Sequence, residues 1–114
     1  MHLMKLNPSP FERIKNGSKK VEIRLFDEKR QKLKVNELIQ FSNLENPEER
    51  IIVEILNLTR FSTFHELLLN TPMEKFGYSQ SHNIQKFLES IYTIYTKTQE
   101  ETYGVLAIEV ELKG

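Results

Sequence analysis

The chain has no cysteine and no tryptophan, and only four glycines and four prolines among its 114 residues. Without cysteine there is no disulfide framework, no thiolate nucleophile and no cysteine-based zinc site. The absence also fits a cytoplasmic protein, and the fold must rest on a packed core, for which this length is enough. No apolar run approaches the ~20 residues of a membrane span. The opening Met-His-Leu-Met-Lys-Leu-Asn-Pro lacks the apolar stretch and small-residue cleavage site of a secretory signal. The expectation is one soluble, intracellular domain covering residues 1–114, with no membrane partner. Oligomeric state is not legible. His2, His65 and His82 are scattered without ligand spacing, so no metal site is assigned, and nothing in the sequence calls for a cofactor.

Net charge is also lacking, with a formal value of +0, but the charges are unevenly placed. Residues 1–36 hold ten Lys/Arg against four acids, or +6, and residues 37–114 hold six against twelve, or −6. A local basic patch facing an anionic partner is the expectation, with weak affinity for bulk nucleic acid.

The element pattern is mixed. Ser9, Pro10 and Glu12 mark a helix start, and Gly17 can supply the left-handed residue that ends it, giving helix 10–16. A strand over 19–26 follows, then a charged turn over 27–33, a strand over 38–41, a polar loop over 42–49, and a β-branched strand over 50–58. Apolar spacing then changes to helical. Ser62 or Thr63 caps a helix carrying Phe64, Leu67 and Leu68, Pro72 opens a short helical piece, and Ile84, Phe87, Leu88 and Ile91 make a core-facing stripe over 81–92. A short helix over 97–101 precedes a strand over 105–112. Strands bracketing inserted helices predict an α+β fold, a small and mostly antiparallel β-barrel closed by pairing of sequence-distant strands so that no edge is exposed.

The densest chemistry lies in 19–24. Lys20, Glu22 and Arg24 alternate with Val21, Ile23 and Leu25, so at a two-residue period the three charges share a face. Lys19 stands at the strand's entrance. A lysine here can fix a phosphate, a carbonyl or a developing oxyanion. Glu22 can accept from the exocyclic amine of a base or act as general base on water, and Arg24 offers a bidentate fork. The bland alternative is an ion-pair ladder on a solvated strand, worth under about 1 kcal/mol per pair. Tyr78 and Tyr103 are candidates for stacking on a base, and Glu66 and Glu74 are carboxylates of the helical insertion that periodicity cannot position.

The run Met4-Lys5-Leu6, Pro10-Phe11, Ile14-Lys15-x-Gly17-x-Lys19-x-x-Glu22-x-Arg24-Leu25-x-Asp27-Glu28-Lys29-Arg30, the segment Val35-x-x-Leu38-Ile39-x-Phe41 and the closing Tyr103-Gly104-Val105-Leu106-Ala107-Ile108 together resemble the ASCH family of PUA-like β-barrels. The resemblance covers essentially the whole chain. It departs at Asn36-Glu37, where many members carry Gly-Asp, a difference that bears on turn geometry. What it implies is an RNA- or nucleotide-binding module whose cleft lies beside the Gly-x-Lys strand. Lys19, Lys20, Glu22, Arg24, Lys29 and Arg30 would be its ligand contacts. The resemblance also implies an alternative, a small amidohydrolase acting on a modified nucleoside such as N4-acetylcytidine, with Lys19, Glu22 and Glu74 as catalytic groups. That branch of the family uses a hydroxyl residue three positions after the lysine, where this chain has Glu22.

Overall fold

A computed structural model describes residues 1–113. The order of elements is β1 (His2–Leu6), α1 (Pro8–Lys15), β2 (Val21–Leu25), β3 (Leu38–Asn43), β4 (Arg50–Phe61), α2 (Phe64–Leu69), α3 (Ile84–Ile91), α4 (Lys97–Tyr103) and β5 (Val105–Lys113), with 3-10 turns at Arg30–Lys32 and Met73–Lys75. The five strands form one curled sheet in the order β1-β3-β4-β5-β2. β1 runs parallel to β3, and the other three pairings are antiparallel. The α+β, mostly antiparallel half-barrel expected from the strand pattern is present.

Its closure is not. Among the described residues β1 and β2 are the two ends of the sheet, and side chains bridge the seam between them where a backbone ladder was expected. Arg24 of β2 donates from Nη2 to the Lys5 carbonyl (2.7 Å), and Lys29 donates from Nζ to the Leu3 carbonyl (2.7 Å). Residues two apart in a strand direct their carbonyls to the same side, so both cations cap the exposed edge of β1. Unpaired strand edges invite foreign pairing, and charge on the edge discourages it.

β5 packs on both faces over its first half, which is why 105–108 reads as an unbroken apolar run. Leu106, Ile108 and Val110 join Phe11, Ile14, Phe41, Val53 and Ile55 inside the curl, whereas Val105 and Ala107 join Phe64, Leu67, Phe76, Phe87 and Leu88 under the inserted helices. Directly opposed residues share a face. The pairings Glu22↔Ile108 and Arg24↔Leu106 therefore turn these two charged side chains inward, while Val21, Ile23 and Leu25 pack beneath the helices. In β4 the register shifts between Ile55 and Asn57, so Leu56 is an extra residue that restores the inward phase for Leu58.

Several boundaries differ from the sequence reading. α1 starts at Pro8 with Asn7 as its cap residue, and Ser9 forms no capping box with Glu12; its hydroxyl instead receives a bond from Arg13 Nη1 (3.0 Å). Thr63 and Asn83 cap α2 and α3 through their side chains. Gly17 takes a left-handed φ of 85° directly after α1, as the ending of that helix requires. Asn36 takes φ 75° in the turn before β3, a left-handed conformation that asparagine tolerates better than most residues. β1 had no counterpart in the sequence reading. No helix among the described residues is long and apolar enough to cross a membrane.

Candidate functional site

The segment that carries Lys19 is fixed on both sides. Its backbone N–H donates to the Arg13 carbonyl (2.9 Å), and Lys20 N–H donates to the Lys75 carbonyl (2.7 Å). A single bridge pairs Lys19 with Phe76. Gly77 is required at this crossing: its φ is 83°, and a Cβ there would lie 3.0 Å from Arg13 Cδ and 3.2 Å from Ser18 Oγ.

Because β2 begins only at Val21, strict alternation fails just before it. Lys19, not Lys20, joins Glu22 and Arg24. Lys19 Nζ lies 3.3 Å from Glu22 Oε1, which also accepts from the Ile23 backbone N–H (3.2 Å). Arg24 Nε donates to Glu22 Oε2 at 2.8 Å. Lys19 and Glu22 are each only 6% exposed. A solvated ion-pair ladder would leave these groups in water, so their burial is the feature that alternation alone could not supply.

Burial and charge oppose each other here. Desolvation pushes the Lys19 ammonium below its ordinary value, although Glu22 pulls the other way. For Glu22 desolvation works toward the neutral acid, but Lys19 and Arg24 together outweigh it, and the carboxyl is held below the usual range. Arg24 is also desolvated, yet Glu22 beside it raises it further and keeps it charged. The trio is a cation–carboxylate–cation group with one positive charge left over.

These side chains line a cleft of about 600 Å³ at the seam. Lys5 and Arg13 add two cations, while Tyr78, Phe87, Ile91, Ile94 and Tyr95 form apolar and aromatic walls. The Arg13 guanidinium lies 4.7 Å from the Tyr78 ring centroid, and its Nε is buried without a hydrogen-bond partner. Tyr78 also stacks on His82 at 4.1 Å between centroids. Burial pushes the Tyr95 hydroxyl above its ordinary value. The cleft thus offers an aromatic-lined recess with four cations and one carboxylate, a composition suited to an anion that carries a flat ring.

The remaining expected contacts distribute as follows. Lys20 is exposed, with its ammonium beside Gly17 and outside the cleft lining. Lys29 and Arg30 line an adjoining cleft, with Arg30 paired to Asp27 at 3.2 Å. Glu74 and Glu66 are exposed and do not line the cleft, and Tyr103, at the end of α4, does not line it either. Arg13 and Tyr95 escaped the sequence reading as site residues. The only sequence signal for them was a cation in α1 and an aromatic residue between α3 and α4, and that signal does not distinguish a cleft wall from a surface. No group of three or more His, Cys, Asp or Glu side chains among the described residues is disposed to hold a metal ion.

Comparison with known proteins agrees with this architecture. The model of the ASCH domain family matches residues 4–114. The crystal structure of hypothetical protein PH0355 is similar at 31% identity, covering 97% of each chain with a TM-score of 0.83. The solution structure of protein PF0455 from Pyrococcus furiosus is 29% identical, covering 97% of this chain and 96% of that one, with a TM-score of 0.75. The crystal structure of an ASCH domain from Lactobacillus crispatus JV V101 shares the fold at 11% identity and a TM-score of 0.62, covering 97% of this chain and 79% of that one. No curated protein matches the chain.

Proposed function

The chain belongs to the ASCH domain family, and from that premise we propose that it binds single-stranded RNA or a nucleotide in the cleft at the β1–β2 seam. The observation that carries this reading is the convergence of Lys19, Glu22 and Arg24 in a buried group with surplus positive charge, set against aromatic walls. Lys19, Arg24 and Arg13 attract the phosphate, Tyr78 or Tyr95 supports the base, and Glu22 fixes the two cations that flank it. ASCH domains are associated with nucleic-acid binding, which agrees with this assignment.

Binding of a short single-stranded RNA should be weak and should fall as salt rises. Changing Lys19 and Arg24 together to alanine is expected to weaken binding at least tenfold and to reduce the salt slope by about one per cation lost. That variant also strands Glu22, so Arg13→Ala, which leaves the buried trio intact, is the companion measurement. It should weaken binding by about 1 kcal/mol through loss of one charge and of its contact with Tyr78. Unchanged affinity in both variants, measured by fluorescence anisotropy, would move the site elsewhere.

The amidohydrolase alternative is less well supported. Both Glu22 oxygens are engaged by donors or cations and its carboxyl is held acidic, which leaves it a poor general base near neutral pH. Glu74 is exposed and outside the cleft lining. Incubation with N4-acetylcytidine is therefore expected to yield no turnover above the uncatalysed rate by chromatography. Robust hydrolysis that disappears in Glu22→Gln would reverse this preference.

A further inference from the structure

A second cleft of about 590 Å³ adjoins the first, and Lys5 and Arg24 line both. Its other charged lining residues are Lys29, Arg30 and Arg50, and no carboxylate lines it. Three of its cations donate to backbone carbonyls. Arg24 donates to the Lys5 carbonyl, Lys29 to the Leu3 carbonyl, and Arg50 Nε to the Pro47 carbonyl at 3.3 Å. Arg30 has a carboxylate partner, Asp27, and Arg24 has Glu22, while Arg30 Nε is buried without a hydrogen-bond partner. For Lys29 and Arg50 the backbone carbonyls orient the charge without neutralising it. Partial burial, followed by the nearby charges of Arg30, Arg24 and Lys5, lowers Lys29 below its ordinary value despite the opposing pull of Asp27. Such crowding is relieved by an anion. The polar lining of Gln40 and Ser42 adds hydrogen-bonding groups from β3.

We propose that this second cleft is a phosphodiester subsite, so that the ligand is an oligonucleotide laid across the seam with a base in the first cleft and the neighbouring backbone phosphate in the second. This rests on the nucleotide reading of the first cleft. The sharing of Lys5 and Arg24 between the two clefts favours an extended ligand over a free mononucleotide, since a mononucleotide seated in the first cleft leaves Lys29 and Arg50 with carbonyl partners only.

Arg50 is the residue to change, because it is exposed on β4, holds only the Pro47 carbonyl and stands outside the first cleft. The probes are a single-stranded cytidine tetranucleotide and cytidine monophosphate, titrated calorimetrically at several salt concentrations, with thermal melting as the check on folding. The wild type should bind the tetranucleotide more tightly than the monophosphate. Arg50→Glu should weaken the tetranucleotide about tenfold and reduce its salt slope by about 0.7 or more, while the monophosphate changes less than about twofold. Equal tetranucleotide affinity and slope in wild type and Arg50→Glu would overturn the subsite, as would equal weakening of both probes. Absence of monophosphate binding to the wild type would count against the first cleft instead, and the tetranucleotide comparison would still decide the second.

Discussion

Glu22→Ala is expected to destabilise the fold by about 3–5 kcal/mol, the range found when one partner is removed from a buried ion pair and the other charge is left uncompensated. Here two charges are stranded, Lys19 and Arg24, the first of them 6% exposed. Urea unfolding near neutral pH measures the loss. A change of under about 1 kcal/mol would mean that water reaches the trio and that its burial is energetically unimportant. The same carboxyl gives the acid response a sign. Its folded value is depressed, so the stability it confers is complete above the unfolded value and is lost as pH falls through the folded one. Stability should therefore decline below about pH 4 in the wild type, and Glu22→Gln should flatten that decline. Replacing all three side chains by apolar residues of similar volume is expected to be near neutral for stability, because the pairing repays desolvation only approximately. It should abolish ligand binding. Stability and function would then be separated in one protein.

Phe64→Ala is expected to lower stability by about 3–5 kcal/mol, as for other buried phenylalanines truncated to alanine. Phe64 is fully buried; its ring stacks on Tyr95 at 5.5 Å and meets Tyr92 edge-on at 5.8 Å, and its backbone N–H donates to Glu100 Oε2 at 2.7 Å. The ring thus backs Tyr95, and Tyr95 is a wall of the cleft. Truncation should loosen that wall, so RNA affinity should fall even at temperatures where the variant is fully folded. Intact affinity in the folded variant would show that Tyr95 is held by other contacts.

Most of the sheet was readable because its apolar residues are patterned locally. β5 announces itself as an apolar run, β4 by its β-branched residues, and α3 by the spacing of Ile84, Phe87, Leu88 and Ile91. β1 was not, since five residues ending just before Asn7 and Pro8 carry little periodicity and the strand's parallel partner, β3, is more than thirty residues away. The cap of α1 was misassigned because Asn7-Pro8 and Ser9-Pro10 offer the same local signal twice, and the helix takes the earlier one. At the site, the residue types were legible and their facing was not. Alternation groups Lys20 with Glu22 and Arg24, but the pairing of β2 with β5 starts only at Val21, and the tie of Lys19 to Phe76 brings that side chain round to Glu22. The inward turn of Glu22 and Arg24 depends on which face the helices cover. That is decided by Phe64, Leu67 and Phe87, residues more than thirty positions downstream. Arg50 joins the basic cleft from the acidic part of the chain, which no division by sequence position could foresee.

The open seam also governs how the molecule comes apart. β1 is held by its ladder to β3, by the contact of His2 with Glu37 at 2.8 Å, and by the caps that Arg24 and Lys29 place on its outer carbonyls. An edge strand secured partly by side chains is the natural first unit to open, at a free energy below that of global unfolding. An anion that draws Arg24 and Lys29 toward itself returns the Leu3 and Lys5 carbonyls to water. Occupancy of the clefts and hydrogen-exchange protection of the first strand are then linked quantities, and whatever one ligand changes in the other must be matched in reverse.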